Sequence, residues 1–230
     1  MLTNSLSNLT AAIITLIIGT EQRIFAAHED VLTLSPFFHA AISNQFLNSP
    51  ASPSGGPSSK RLALPDESPE VFSSVLEFLY KGDYYPRLVL NKRKNTWEIE
   101  KAENGELAPS TLFYPSLASS GEELLKDTAI YCAAEKYGLA ELKKIALRKQ
   151  GLQSGIQCST IITSARYAYA NTPDTDSKLR AHYLALIIRS RNTFKRSGTM
   201  QMEMGRGGSQ LFFDLFVALC NHVDDVGTAQ

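Results

Sequence analysis

Apolar positions change their period several times along this chain, and each change marks an element. Ala12-Ile-Ile-Thr-Leu-Ile-Ile-Gly19 is a run of mostly β-branched residues that ends at the turn Gly19-Thr20-Glu21-Gln22, and Arg23-Ile-Phe-Ala-Ala27 returns. Two short apolar runs joined by a polar turn predict a β-hairpin. His28 to Leu34 then sets Val31, Leu32 and Leu34 near one helical face. Ser35-Pro36 supplies a cap and a first-turn proline, which starts a second helix with Phe37, Phe38, Ala41 and Ile42 on its apolar side. Residues 48–60 are rich in Ser, Pro and Gly and predict a loop. After a short strand, Arg61 to Leu64, the pattern Ser68-Pro69-Glu70 opens a helix carrying Val71, Phe72, Val75, Phe78 and Leu79, and Gly82 stops it.

The pattern from 83 to 120 is less regular. Arg87-Leu-Val-Leu90 and Thr96-Trp-Glu-Ile-Glu100 flank a basic tip, Lys92-Arg-Lys94, and predict an exposed hairpin. Trp97 has two readings, an exposed contact or a flap buried against the last helices. Ala102 to Ser120 reads as irregular. Helical period resumes near Glu122 with Leu125, Ala129, Cys132, Ala133 and Tyr137, and Gly138 ends that helix. Further helices are predicted over 140–149, 159–170, from Thr172-Pro-Asp174 to about Arg191, and over the almost wholly apolar 210–222. The Gly- and Met-rich stretch 195–209 between the last two reads as a loop.

Composition narrows the function more by exclusion than by assertion. The 230 residues are 43% hydrophobic and 20% charged, the balance of a globular chain with ample core. Twenty-three basic and twenty-three acidic residues cancel, so no global field draws the chain to phosphate backbones or anionic membranes. Nucleic acid and membrane are therefore disfavoured as partners. The apolar run 11–18 lacks the flanks of a signal peptide and the length of a membrane span, and the expected location is cytoplasmic, nuclear or both. Cys132, Cys158 and Cys220 lie in apolar helical patterns and read as buried thiols.

No Gly-x-Gly-x-x-Gly, nucleotide-binding Gly-x-x-x-x-Gly-Lys, Gly-x-Ser-x-Gly, His-Glu-x-x-His or Cys-x-x-Cys pattern occurs. His222-Val-Asp224 lacks a second histidine downstream, so no metal or other cofactor is expected. His28, at a strand-to-helix junction, reads as a capping or packing residue rather than a general base. Arg189, Arg191, Lys195 and Arg196 read as a solvated basic cluster. The expectation is a protein without catalytic residues.

Taken in order, Thr15-Leu-Ile-Ile-Gly19, His28 with Leu32, Ser35-Pro-Phe-Phe38, Leu64-Pro-Asp66, Pro69-Glu-Val-Phe72, Phe78-Leu-Tyr-Lys-Gly82 and Ala134-Glu-Lys-Tyr-Gly-Leu139 resemble the BTB/POZ domain. The chain is similar to forms found in filamentous fungi, which carry a helical C-terminal extension. The resemblance implies an α+β fold over 1–150, a small sheet capped by a helical cluster with a loop at 48–60 and an insertion at 83–120. An all-α extension would follow over 151–230. It also makes His28, Ser35, Phe37, Phe38, Asp66, Tyr80, Gly82 and Tyr137 structural-motif positions. The implied function is protein–protein interaction, as scaffold or adaptor, with a second copy and a cullin scaffold among the partners it admits. Ile13 and Ile14 stand where dimeric relatives pair, with Ile13 replacing a common acid. Phe46, Leu47 and Asn48 stand where cullin adaptors carry a hydrophobic-x-Glu element, with Asn48 in place of the acid. A nuclear regulator touching nucleic acid through its basic tips is a further alternative.

Overall fold

The computed structural model describes residues 12–48, 60–101, 111–113, 123–205 and 209–228. Most of the predicted 48–60 loop therefore lies outside the described residues. The chain divides into two compact units, one comprising 1–105 and 133–145, the other 106–132 and 146–230. Small sheets and many helices make this an α+β fold with a helical C-terminal region.

In the first unit, β1 (Ile13–Ile18) is the central strand of a three-stranded sheet ordered β2-β1-β3. β2 (Arg23–His28) runs antiparallel to it with Ile14 facing Ala27 and Ile17 facing Ile24, and β3 (Arg61–Leu64) runs parallel with Leu16 facing Leu62. Alternation along β1 sends Ile14, Leu16 and Ile18 into the core, each at most 1% exposed. Gly19 closes the strand at φ +75°, and a Cβ there would meet the Glu67 carbonyl oxygen at 3.0 Å and Pro69 at 3.1 Å. Both its backbone angle and its surroundings require glycine.

Between β2 and β3 lie α1 (Glu29–Leu32) and α2 (Pro36–Asn48). After β3 comes α3 (Pro69–Lys81), which buries Val71, Phe72, Val75 and Phe78 and ends at Gly82 with φ +75°. Ser68 precedes α3 as expected, but it caps through its carbonyl, which accepts from the Phe72 N–H at 2.9 Å, and not through its hydroxyl. The predicted hairpin forms from β4 (Leu88–Asn91) and β5 (Thr96–Ile99).

The second unit begins with a correction. Residues 111–113, expected to be irregular, form β6 (Thr111–Phe113), which pairs with β7 (Glu123–Leu125) where a helix was expected to start. The helix α4 (Lys126–Lys136) begins only after that strand. The Leu125 N–H donates to Ser164 Oγ at 3.0 Å, so the backbone of β7 is satisfied by a serine far along the chain. That partner leaves no periodic trace in the strand's own sequence.

After α5 (Ala140–Gly151) come α6 (Cys158–Asn171) and α7 (Ser177–Arg189). α7 starts later than Thr172. The Thr172 hydroxyl donates back to the Ala168 carbonyl at 2.7 Å, Asp174 is held by Arg180 Nη1 at 2.7 Å, and the Asp176 carboxylate accepts from the Tyr131 hydroxyl at 2.9 Å. The would-be helix start is thus spent on a turn. The stretch 195–209, expected to be a loop, instead holds the end of α8 (Arg191–Ser197), a helix anchored by buried Phe194, and all of α9 (Thr199–Gly205). α10 (Gln210–Thr228) completes the unit and buries Leu211 and Leu215. The thiols differ from expectation too: Cys132 is buried, Cys158 half-buried and Cys220 exposed.

Candidate protein-interaction surface

Four of the sequence motif positions, Ser35, Phe37, Phe38 and Tyr137, converge on one aromatic knot. Ser35 Oγ donates to the Tyr137 carbonyl at 2.7 Å and accepts from the Phe38 N–H at 3.4 Å, tying the start of α2 to the end of α4. Phe38 stacks on Tyr137 with centroids 4.8 Å apart, and Phe37 meets the same ring edge-on at 5.2 Å. Phe72 of α3 adds an edge contact to Phe38 at 6.1 Å and another to Phe25 at 5.2 Å. His28 and Tyr80 also come together. The Tyr80 hydroxyl accepts from the His28 backbone N–H at 2.9 Å and lies 2.8 Å from Nδ1. Asp66 is exposed in the turn after β3, and Gly82 ends α3, so these two shape chain direction and do not join the knot.

Among the described residues, the opposite face of the sheet is exposed. Pairing places Ile13 beside His28, Thr15 beside Ala26 and Ile17 beside Ile24, with Ala63 of β3 next to Ile17. Ile13 is 60% exposed and Ile24 74% exposed, Ile17 is half-buried, and Ala26 and Ala63 are exposed. Ile13 and Ile17 are four residue steps apart along the strand, so this apolar strip runs for about 14 Å. Ile13 and Ile14, paired in the sequence reading, part company: Ile13 faces out while Ile14 is core at 1% exposure. Ile24, more exposed than Ile13, was not singled out from sequence. Ile24-Phe-Ala-Ala27 is uniformly apolar, so strand register and not sequence pattern assigns Ile24 to this face.

Phe46, Leu47 and Asn48 fall in the last turn of α2, and their side chains lie outside the described residues. The β4–β5 hairpin presents Leu90 and Trp97 side by side, 45% and 43% exposed. Burial of Trp97 is thereby corrected. Its basic tip is well formed, because Asn91 Oδ1 accepts from the N–H groups of Arg93 and Lys94 at 3.1 and 3.2 Å. Arg189, Arg191, Lys195 and Arg196 are all exposed, as a solvated cluster would be. Among the described residues no group of three or more His, Cys, Asp or Glu is placed to hold a metal, and no helix is long and apolar enough to cross a membrane.

The sheet thus has one face buried under aromatic helices and one apolar, exposed face. Residues 6–95 match the BTB/POZ domain family, and domains of this family are protein–protein interaction modules that bind other proteins and dimerise. No curated protein matches the chain.

Proposed function

We propose that this chain works as a protein-interaction scaffold or adaptor, in the cytoplasm or nucleus, engaging partners through the open strip of its BTB/POZ-like sheet. The observation that carries this reading is the exposure of Ile13 and Ile24 together, with Ile17 and Ala26 between them. Isolated exposed isoleucines are ordinary, but branched apolar residues aligned on one face of a sheet mark a contact surface. With an apolar residue at 13, this strip suits apolar packing against a second copy or another protein.

The test is Ile24→Glu. The side chain stands in solvent, so folding is expected to change by no more than about 0.5 kcal/mol. Partners retained by the native chain should be lost by the variant, with an unchanged far-ultraviolet spectrum. Retention of the same partners by Ile24→Glu would refute the assignment of this face. Recruitment of a cullin scaffold is a finer form of the reading and rests on Phe46-Leu47-Asn48. Because Ile24→Glu leaves that segment intact, a cullin that stays bound to the variant would locate its contact on α2 instead.

A further inference from the structure

Helix α10 has two apolar faces on opposite sides. Leu211 and Leu215, 1% and 5% exposed, face inward, with Ala218, Leu219 and His222 half-buried along the same side. Tyr169 fixes the helix by donating its hydroxyl to Asp214 at 2.9 Å. On the outward side stand Phe213, Phe216, Cys220 and Val223, stepping by three and four residues, with Val217 beside them. Phe213 is 64%, Phe216 67%, Val217 41% and Val223 66% exposed. The outward face of a surface helix is normally polar. Here, from Phe213 to Val223, it is an uncharged seam.

We infer that α10 pairs antiparallel with α10 of a second copy of this chain. Spacing favours a copy of itself over a foreign segment. A two-fold axis passing beside Ala218 sets Phe216 of one copy against Cys220 of the other, and Phe213 against Val223. Each large ring therefore meets a small side chain, the alternation that lets facing layers interdigitate. Reversal of direction also aligns the two helix dipoles favourably. Among the described side chains the seam contains no charged residue, so from Phe213 to Val223 it neither repels its own copy nor selects a partner by charge.

The size of the surface agrees. Taking a fully open phenylalanine as ~200 Å², the seam exposes on the order of 400 Å² per copy. That is about half of what each side of a standard stable interface buries, which places the pair among weak, concentration-dependent dimers. It is also as large as the greatest apolar patch a typical monomer leaves uncovered. This pairing is independent of the sheet strip.

The experiment is run on the full chain carrying Ile24→Glu, so that contacts of the sheet face do not enter, and Cys158→Ser, so that Cys220 is the accessible thiol. Sedimentation equilibrium should show dimers forming in the micromolar range, and Phe213→Ser with Phe216→Ser should weaken them at least tenfold. Mild oxidation should link few copies through Cys220 alone. The sulfur introduced by Phe216→Cys should instead link to Cys220 of the other copy in high yield. A chain that stays monomeric to about 100 μM, or dimers that ignore the double serine substitution, would overturn the inference. Efficient linkage through Cys220 alone would overturn the antiparallel arrangement. Capture of the monomer by phospholipid vesicles through the same phenylalanines would give the seam a different occupant and equally dispose of the pairing.

Discussion

Single hydroxyls and rings hold the junctions of this protein. Ser35 satisfies two backbone groups at once, and its own burial is complete. Ser35→Ala leaves the Tyr137 carbonyl without that donor, and is expected to lower stability by about 1–2 kcal/mol, read as a fall in the urea midpoint without a change in slope. Arg180 acts similarly in the second unit. Only 8% exposed, it donates to Asp174, reaches the Thr172 carbonyl at 2.6 Å, and lies over the Tyr169 ring at 4.6 Å. Nearby, burial and then the Arg189 guanidinium hold His182 below the ordinary histidine range. The unfolded chain therefore takes up a proton first as pH falls, so this residue contributes stability above about pH 6.5 that is lost on acidification through that region. Thermal melts from about pH 7.5 to about pH 5.5 should show a larger drop for the native chain than for His182→Gln. An equal drop would assign the acid sensitivity to other groups.

Elements were legible where their signals were local. The β-branched apolar run from Ala12 announced β1, Ser35-Pro36 gave the start of α2, and Pro69 with Gly82 gave both ends of α3, each to within a residue. The candidate site was half legible. Ile13 was found through a family likeness, whereas the face it belongs to depends on strand register, which joins Ile24 and Ala63 to it from other segments. β6 and β7 escaped because three-residue strands have too few positions to show a period, and their backbone is satisfied by pairing and by Ser164. Methionines and flanking glycines hid α9, and α8 showed no period because a single buried ring, Phe194, anchors it. The β4–β5 hairpin shows the same limit. Its strands were predicted, but the environment of Trp97 was not. As the only tryptophan, Trp97 is expected to emit at long wavelength and to be quenched readily by acrylamide in the native state. A blue-shifted, protected emission would contradict its exposure.

At the scale of the molecule, neither compact unit is a single continuous stretch of chain. β7, early in the second unit, is completed by α6, which follows the segment 133–145 belonging to the first. A fragment ending at Gln150 retains β7 but not α6, leaving Leu124 and Leu125, at most 1% exposed in the intact chain, without that cover. The fragment is expected to bind a hydrophobic dye and melt over a broad range, whereas the intact chain melts cooperatively. A sharply melting, dye-silent fragment would show that the first 150 residues suffice for a closed core.

The parallel pairing of β1 with β3 carries a consequence for the newborn chain. At about 5–20 residues per second of translation, the roughly 45 residues between Ile18 and Leu64 take several seconds to emerge from the ribosome. Through that interval one edge of the most apolar strand has no neighbour, and only β2 shelters the other. Nascent chains stalled before Leu64 are therefore the form most in need of a chaperone.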